Sequence, residues 1–172
     1  MRVGAAAMLA GGEGRRLGGL AKERLLIDGE ELGPRLVAIL GARFEKVVVV
    51  TKNAELYRSA EGRGQAVVTA DLRPGFGPLS GLHAALVAAR AEWIWLAACD
   101  MPAFDPRLVD LLVSRLGEET ERAAQRGVAP PLACLCRHGE HFEPFQALYS
   151  SRLLPRLEAL FSAATAAGPA GP

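Results

Sequence analysis

Val3-Gly4-Ala5-Ala6-Ala7-Met8-Leu9-Ala10-Gly11-Gly12-Glu13-Gly14-Arg15-Arg16-Leu17-Gly18-Gly19-Leu20-Ala21-Lys22 decides how the rest of the chain is read. Val3 to Leu9 is short and apolar, as a buried strand is. It runs into a loop with five glycines, two arginines and a closing lysine. Glycine lets a ligand come close to the backbone. Successive N–H groups in such a turn make a concave anion site. The arginines and Lys22 add positive charge, so a polyphosphate is the simplest ligand for the combination. The loop is not a Walker A motif, because no Gly-Lys-Ser/Thr occurs in it. It also misses the dinucleotide fingerprint: after Gly12-Glu13-Gly14 the third glycine comes one residue late, at Gly18. A long basic glycine loop ending in lysine suits a nucleoside triphosphate held along its phosphates.

Outward from this loop, strands and helices alternate. Arg24 to Ile27 reads as a short extended piece turned at Asp28-Gly29. Leu32 to Leu40 has helical spacing, with Gly33-Pro34 in its first turn. Lys46 to Thr51 contains four successive valines without alternation, the mark of a strand buried on both faces. A short helix is expected from Asn53 to Ala60, capped by Asn53, and a strand from Gln65 to Ala70. Asp71 to Pro78 holds two prolines and two glycines and must be loop. Leu79 to Arg90 is a helix and Trp93 to Ala98 a strand. Asp105-Pro106 opens a helix expected to reach Leu116, followed by a charged, exposed connection from Glu118 to Gly127, part of it open to a helical reading. Leu132 to Cys136 and Phe142 to Tyr149 read as an antiparallel hairpin around His138-Gly139-Glu140. Ser151 to Phe161 is the last helix. The expected class is α/β, a mostly parallel sheet finished by an antiparallel hairpin. Residues 1–162 make one domain on this reading, with 163–172 a disordered tail of alanine, glycine and proline.

A chain of 172 residues, half of them hydrophobic, can bury a substantial core. Its formal charge of +1 gives no electrostatic case for nucleic acid as the main partner. No apolar run approaches a membrane span, so no membrane partner is expected. Three cysteines without framework spacing point to a reducing cytosol.

In a parallel sheet the ligand crevice lies outside the carboxyl ends of the strands. Here those ends lead into the glycine loop, Thr51-Lys52-Asn53, Asp71 and Asp100. Of the five aspartates, Asp28, Asp105 and Asp110 have a turn, a cap and an exposed helix position to occupy. Asp71 and Asp100 remain, each just past a buried strand. Asp100, in Cys99-Asp100-Met101-Pro102, is the expected Mg²⁺ ligand, since magnesium is held by one or two carboxylates plus phosphate oxygens. Lys22 would contact phosphate, and either Arg15 or Arg16 would face a departing pyrophosphate. Gly77-Pro78-Leu79-Ser80-Gly81 is either a nucleotide-facing helix start or an ordinary Pro-started helix. Cys134, Cys136, His138 and His141 share the hairpin, but Cys-x-Cys is not a usual zinc spacing.

With these pieces in order, the chain resembles the molybdenum cofactor guanylyltransferases, within the wider nucleotidyltransferase family. The resemblance rests on Leu9-Ala10-Gly11-Gly12, Arg15-Arg16-Leu17-Gly18-Gly19, Lys22, Asn53, Asp71, Gly77-Pro78-Leu79-Ser80-Gly81, Cys99-Asp100-Met101-Pro102 and Glu143 to Tyr149. It implies a three-layer, Rossmann-like nucleotidyltransferase fold and transfer of GMP from GTP to molybdopterin. It also implies GTP bound by Leu9, Ala10, Gly11, Gly12, Lys22, Asn53, Asp71 and Asp100. Catalysis would fall to Arg15, Lys22 and Asp100, with Mg²⁺ on Asp100. A cytoplasmic monomer or weak oligomer, in touch with other cofactor-biosynthesis proteins, goes with that resemblance. Ala21 stands where the family usually has aspartate, and an alanine–glycine tail where it usually has Asn-x-Asn-Thr and an acidic helix. Transfer from CTP, another phosphorylated acceptor, or a non-catalytic nucleotide-binding role are the competing expectations.

Overall fold

The computed structural model describes residues 3–10 and 21–166. Four strands run parallel: β1 (Ala5–Leu9), β4 (Lys46–Val50), β5 (Ala66–Thr69) and β6 (Trp93–Ala98). An antiparallel hairpin, β7 (Ala133–His138) and β8 (His141–Ser150), extends the sheet beside β6. The order across the sheet is β5-β4-β1-β6-β8-β7. Between β1 and β4 a two-stranded ribbon, β2 (Leu26–Ile27) and β3 (Glu30–Glu31), turns at Asp28 and Gly29. Both turn residues have positive φ, 53° and 83°, as a two-residue hairpin of right-handed twist requires. The expected α/β class, with its mostly parallel sheet and terminal hairpin, is the one observed.

Strand side chains alternate between two apolar layers. Ala6, Met8, Val47, Val49, Trp93, Trp95 and Ala97 face α1 (Leu32–Gly41) and α4 (Pro106–Arg126). Ala5, Ala7, Val48, Val50, Ile94 and Leu96 face α3 (Pro78–Ala89) and α5 (Leu154–Ala166). A short α2 (Arg58–Gly62) follows a 3₁₀ turn at Ala54–Tyr57. Small alanines on β1 let helices close on its two faces, and every residue from Ala5 to Met8 is at most 2% exposed. No described helix is long and apolar enough to cross a membrane.

Three local expectations give way. The segment from Glu118 to Arg126 is not a connection but the second half of α4. Its buried residues Val109, Leu112, Leu116 and Ala123 keep helical spacing. Its exposed face closes i,i+3 pairs from Arg115 to Glu118 (2.9 Å) and from Arg122 to Glu119 (2.6 Å). Gly127, at φ 64°, stops it. Likewise α5 continues to Ala166, beyond the expected start of the tail at residue 163, and residues 167–172 lie outside the described residues. Asn53 makes no side-chain cap to the turn that follows it; its amide is engaged elsewhere.

Asp105 does cap α4, accepting from the Arg107 N–H at 2.9 Å, with Pro106 first in the helix. Asp105→Ala removes the cap bond to the Arg107 N–H and should lower the denaturant midpoint of unfolding. An unchanged midpoint would mean the cap does not contribute.

Candidate functional site

Strand register sets the site. Leu9 pairs with Val50 on one side and Ala98 on the other, and Val50 pairs with Thr69, so four parallel strands end level. The ladder continues one residue past them: the Ala10 N–H donates to the Val50 carbonyl, Thr51 to Thr69, and Cys99 to Leu9, at 2.8–3.0 Å. Ala10, Thr51, Asp71 and Asp100 therefore leave one edge of the sheet, the carboxyl edge, where a parallel sheet binds its ligands.

Lys22 and Asp100, 78 residues apart, meet there with Nζ 2.5 Å from Oδ2. Both side chains are partly exposed, at 38% and 44%. An ion pair this open adds little stability, about 0–1 kcal/mol, so its interest is placement. A lysine ammonium and an aspartate carboxylate stand together at the open edge, each reachable by a ligand.

Lys22 belongs to a 3₁₀ turn, Lys22–Arg24, in which all three side chains are anchored. Arg24 reaches Glu55 at 2.7 Å and Glu31 at 3.4 Å. Glu23, between them, is fully buried. Its carboxylate accepts from the Thr51 hydroxyl (2.9 and 3.0 Å), the Tyr57 hydroxyl (2.6 Å) and the Asn53 amide nitrogen. Thr51 Oγ1 in turn accepts from the Asn53 N–H at 2.9 Å. A buried charge needs this kind of satisfaction. Burial, reinforced by the hydrogen bond to Glu23 and by its charge, holds the Tyr57 phenol far above its usual pKa, so it remains the donor.

Leu9 lies against the start of α3. A Cβ on Gly81 would stand 2.8 Å from Leu9 Cδ1, so any larger residue there would push the Leu9 side chain aside. Ser80 is buried and ties the preceding loop back to the helix, donating to the Arg73 carbonyl and accepting from the Phe76 N–H (3.1 Å). Gly77, at φ 56° and ψ −136°, makes the bend. The segment from Gly77 to Gly81 is thus both a Pro-started helix and a neighbour of the β1 end.

Asp71 follows β5 and is exposed. Desolvation raises its carboxyl pKa, and the Lys52 ammonium opposes the rise. Cys99 is buried; desolvation, then Asp100 and Glu23, push its thiol up to about 11, which keeps it protonated and unreactive at neutral pH. Cys134 and Cys136 are separated by a register shift in the hairpin. Among the described residues no three or more His, Cys, Asp or Glu side chains gather as a metal site. Gly11, Gly12, Arg15 and Arg16 lie outside the described residues.

The sheet order, the level strand ends and the Lys22–Asp100 pair set the terms on which known proteins compare. Residues 6–169 match the model of the MobA-like NTP transferase domain. The chain belongs to the MobA-like NTP transferase family. It is 33% identical over 158 residues to the molybdenum cofactor guanylyltransferase of Syntrophotalea carbinolica, covering 92% of this chain and 68% of that one. A probable molybdenum cofactor guanylyltransferase of Opitutus terrae is 36% identical over 157 residues, covering 90% and 70%. Among solved structures, molybdopterin-guanine dinucleotide biosynthesis protein A from Archaeoglobus fulgidus superimposes with a TM-score of 0.67 at 26% identity, covering 93% of this chain and 74% of that one. This MobA-like transferase is a nucleotidyltransferase by family.

Glu23 was missed by sequence reasoning. A glutamate between a lysine and an arginine reads as a solvated charge, and nothing local marks it as buried. The one available signal is indirect: Gly33, early in α1, where a Cβ would fall 2.2 Å from the Tyr57 hydroxyl and 3.1 Å from Glu23 Cβ. Glycine so early in a helix announces a close neighbour, without saying which.

Proposed function

We propose that this chain transfers GMP from GTP to the terminal phosphate of molybdopterin. A phosphate oxygen of the acceptor attacks the α-phosphorus, the bond between the α-phosphorus and the bridging oxygen breaks, and pyrophosphate leaves with both bonding electrons. The acceptor is already anionic, so the step needs no dedicated general base. The observation that carries the reading is the Lys22–Asp100 pair at the carboxyl edge of the sheet, in a chain whose relatives are named for this activity.

Magnesium would supply charge neutralisation of the triphosphate and of the pyrophosphate as it leaves. Asp100 fits that role. Its carboxylate is a hard oxygen donor, half exposed, and it already holds a cation, the Lys22 ammonium, at 2.5 Å. One protein carboxylate is enough where phosphate oxygens and water complete the shell. Lys22, seated by its anchored turn, would bind phosphate as a point charge. Arg15, on the same loop, would meet the pyrophosphate. Leu9, Ala10, Gly11 and Gly12 would hold GTP as the loop leaves β1, with Asn53 and Asp71 meeting it from the neighbouring strand ends. Catalysis on this reading is alignment and electrostatic stabilisation by residues held in place before substrate arrives.

The test supplies the purified chain with Mg²⁺, molybdopterin and each of four nucleoside triphosphates, and measures pyrophosphate. GTP should release it and the others much less. Preference for CTP would change the nucleotide. Nucleotide binding without pyrophosphate release would make the protein an accessory rather than an enzyme.

A further inference from the structure

Glu23 does more than fill a buried site. An ionised carboxylate only accepts hydrogen bonds. An amide that meets it must therefore present nitrogen, and its oxygen points elsewhere, about 120° away on the same planar group. Asn53 meets Glu23 through Nδ2, and its own N–H is fixed to Thr51 Oγ1. Both ends of the residue are thus constrained, at the carboxyl end of β4 and on the edge that carries Lys22 and Asp100. Left alone, an asparagine can offer a ligand either a donor or an acceptor by flipping its amide. Here the flip would set Oδ1 against a buried carboxylate, a repulsive contact in a low-dielectric place.

We infer that Glu23 is a positioning residue that fixes the Asn53 amide so that Oδ1 faces the nucleotide, which makes Asn53 a reader of a hydrogen-bond donor on the ligand. The inference rests on the nucleotide-binding part of the function proposed above. In GTP the donors are the ribose hydroxyls and, on guanine, the amino group and N1–H. A phosphate, which only accepts, is not what Oδ1 recognises. The same carboxylate anchors the turn that carries Lys22, so selection of the nucleoside and placement of the phosphate-binding lysine share one buried hub.

The test compares binding of GTP, 2′-deoxy-GTP, 3′-deoxy-GTP, ITP and N1-methyl-GTP in Mg²⁺ by calorimetry, without acceptor. The wild-type protein should bind GTP about tenfold or more tightly over one analogue, since a polar group left without its partner is rejected strongly. The deoxy analogues report on the ribose hydroxyls, ITP on the amino group and N1-methyl-GTP on N1–H. Glu23→Gln can accept or donate, frees the amide to flip, and should reduce that preference to within about twofold. Asn53→Ala should do the same, and it carries the test if Glu23→Gln fails to fold. Tyr57→Phe removes a different donor from Glu23 and should keep the preference while lowering the melting temperature. The inference is overturned if the wild-type protein discriminates against none of the analogues. It is equally overturned if Glu23→Gln or Asn53→Ala keeps the wild-type preference, or if Tyr57→Phe erases it as completely as Glu23→Gln, since general loosening would then explain the loss. Failure of pyrophosphate release with this preference intact would instead sink the transfer reaction and leave the role of Glu23 standing.

Discussion

Asp100→Asn is expected to lower pyrophosphate release from GTP by about 10²–10³-fold, the scale on which removal of one preorganised electrostatic contact reduces turnover. The fold should survive, because the Asp100 side chain is 44% exposed and pairs with Lys22, itself 38% exposed. An open pair of this kind contributes about 0–1 kcal/mol to stability. The substitution keeps shape and removes charge, so it isolates what the carboxylate does for a cation. The measurement is turnover against Mg²⁺ concentration beside a thermal melt. The variant should show a higher magnesium requirement together with the lower maximum rate, at an unchanged melting temperature. Wild-type turnover in the variant would remove Asp100 from the reaction. A large fall in melting temperature would show that the residue holds the fold instead.

The second large effect is on stability, at Gly33→Ala. Alanine would gain up to about 1 kcal/mol of intrinsic helix propensity, so an exposed position would be stabilised. Here the new Cβ would fall 2.2 Å from the Tyr57 hydroxyl oxygen. That oxygen cannot swing aside cheaply, because it is buried and donates to Glu23 at 2.6 Å. Overpacking typically costs about 1–3 kcal/mol, and loss of a donor from a buried carboxylate adds about 1–3 kcal/mol. Gly33→Ala should therefore destabilise by roughly 2–4 kcal/mol net of propensity. A double-mutant cycle with Tyr57→Phe checks the cause. Phenylalanine removes the clashing oxygen, so the pair together should cost clearly less than the sum of the singles. Additive costs would show that Gly33 and Tyr57 do not collide.

Much of the fold was legible in the chain because it depends on short-range patterns. The four valines of β4 and the Trp93–Ala98 run of β6 read as buried strands, and both are. Asp105-Pro106 read as a cap and first helical residue, and both are. Where prediction stopped short, charge misled it. Glu118, Glu119 and Arg122 read as a solvated connection, helical in part at most, yet at i,i+3 spacing from their partners they support a helix through Arg126. Asn53 read as a cap because asparagine before a helix is usually one. A buried carboxylate from another segment competed for its amide and won.

What the sequence determined by itself is the class of fold and the edge where its chemistry collects. Unbroken apolar runs in strands and glycine or proline at their ends are local properties, and the carboxyl-edge rule follows from parallel strands alone. The tertiary structure alone decided that Lys22 meets Asp100, that Glu23 is buried, and which way Asn53 faces. These depend on residues up to 78 positions apart, brought together by strand register and helix packing. A side chain's charge is written in the sequence, but its solvent exposure and its partners are set only once the sheet has brought distant strand ends to one level.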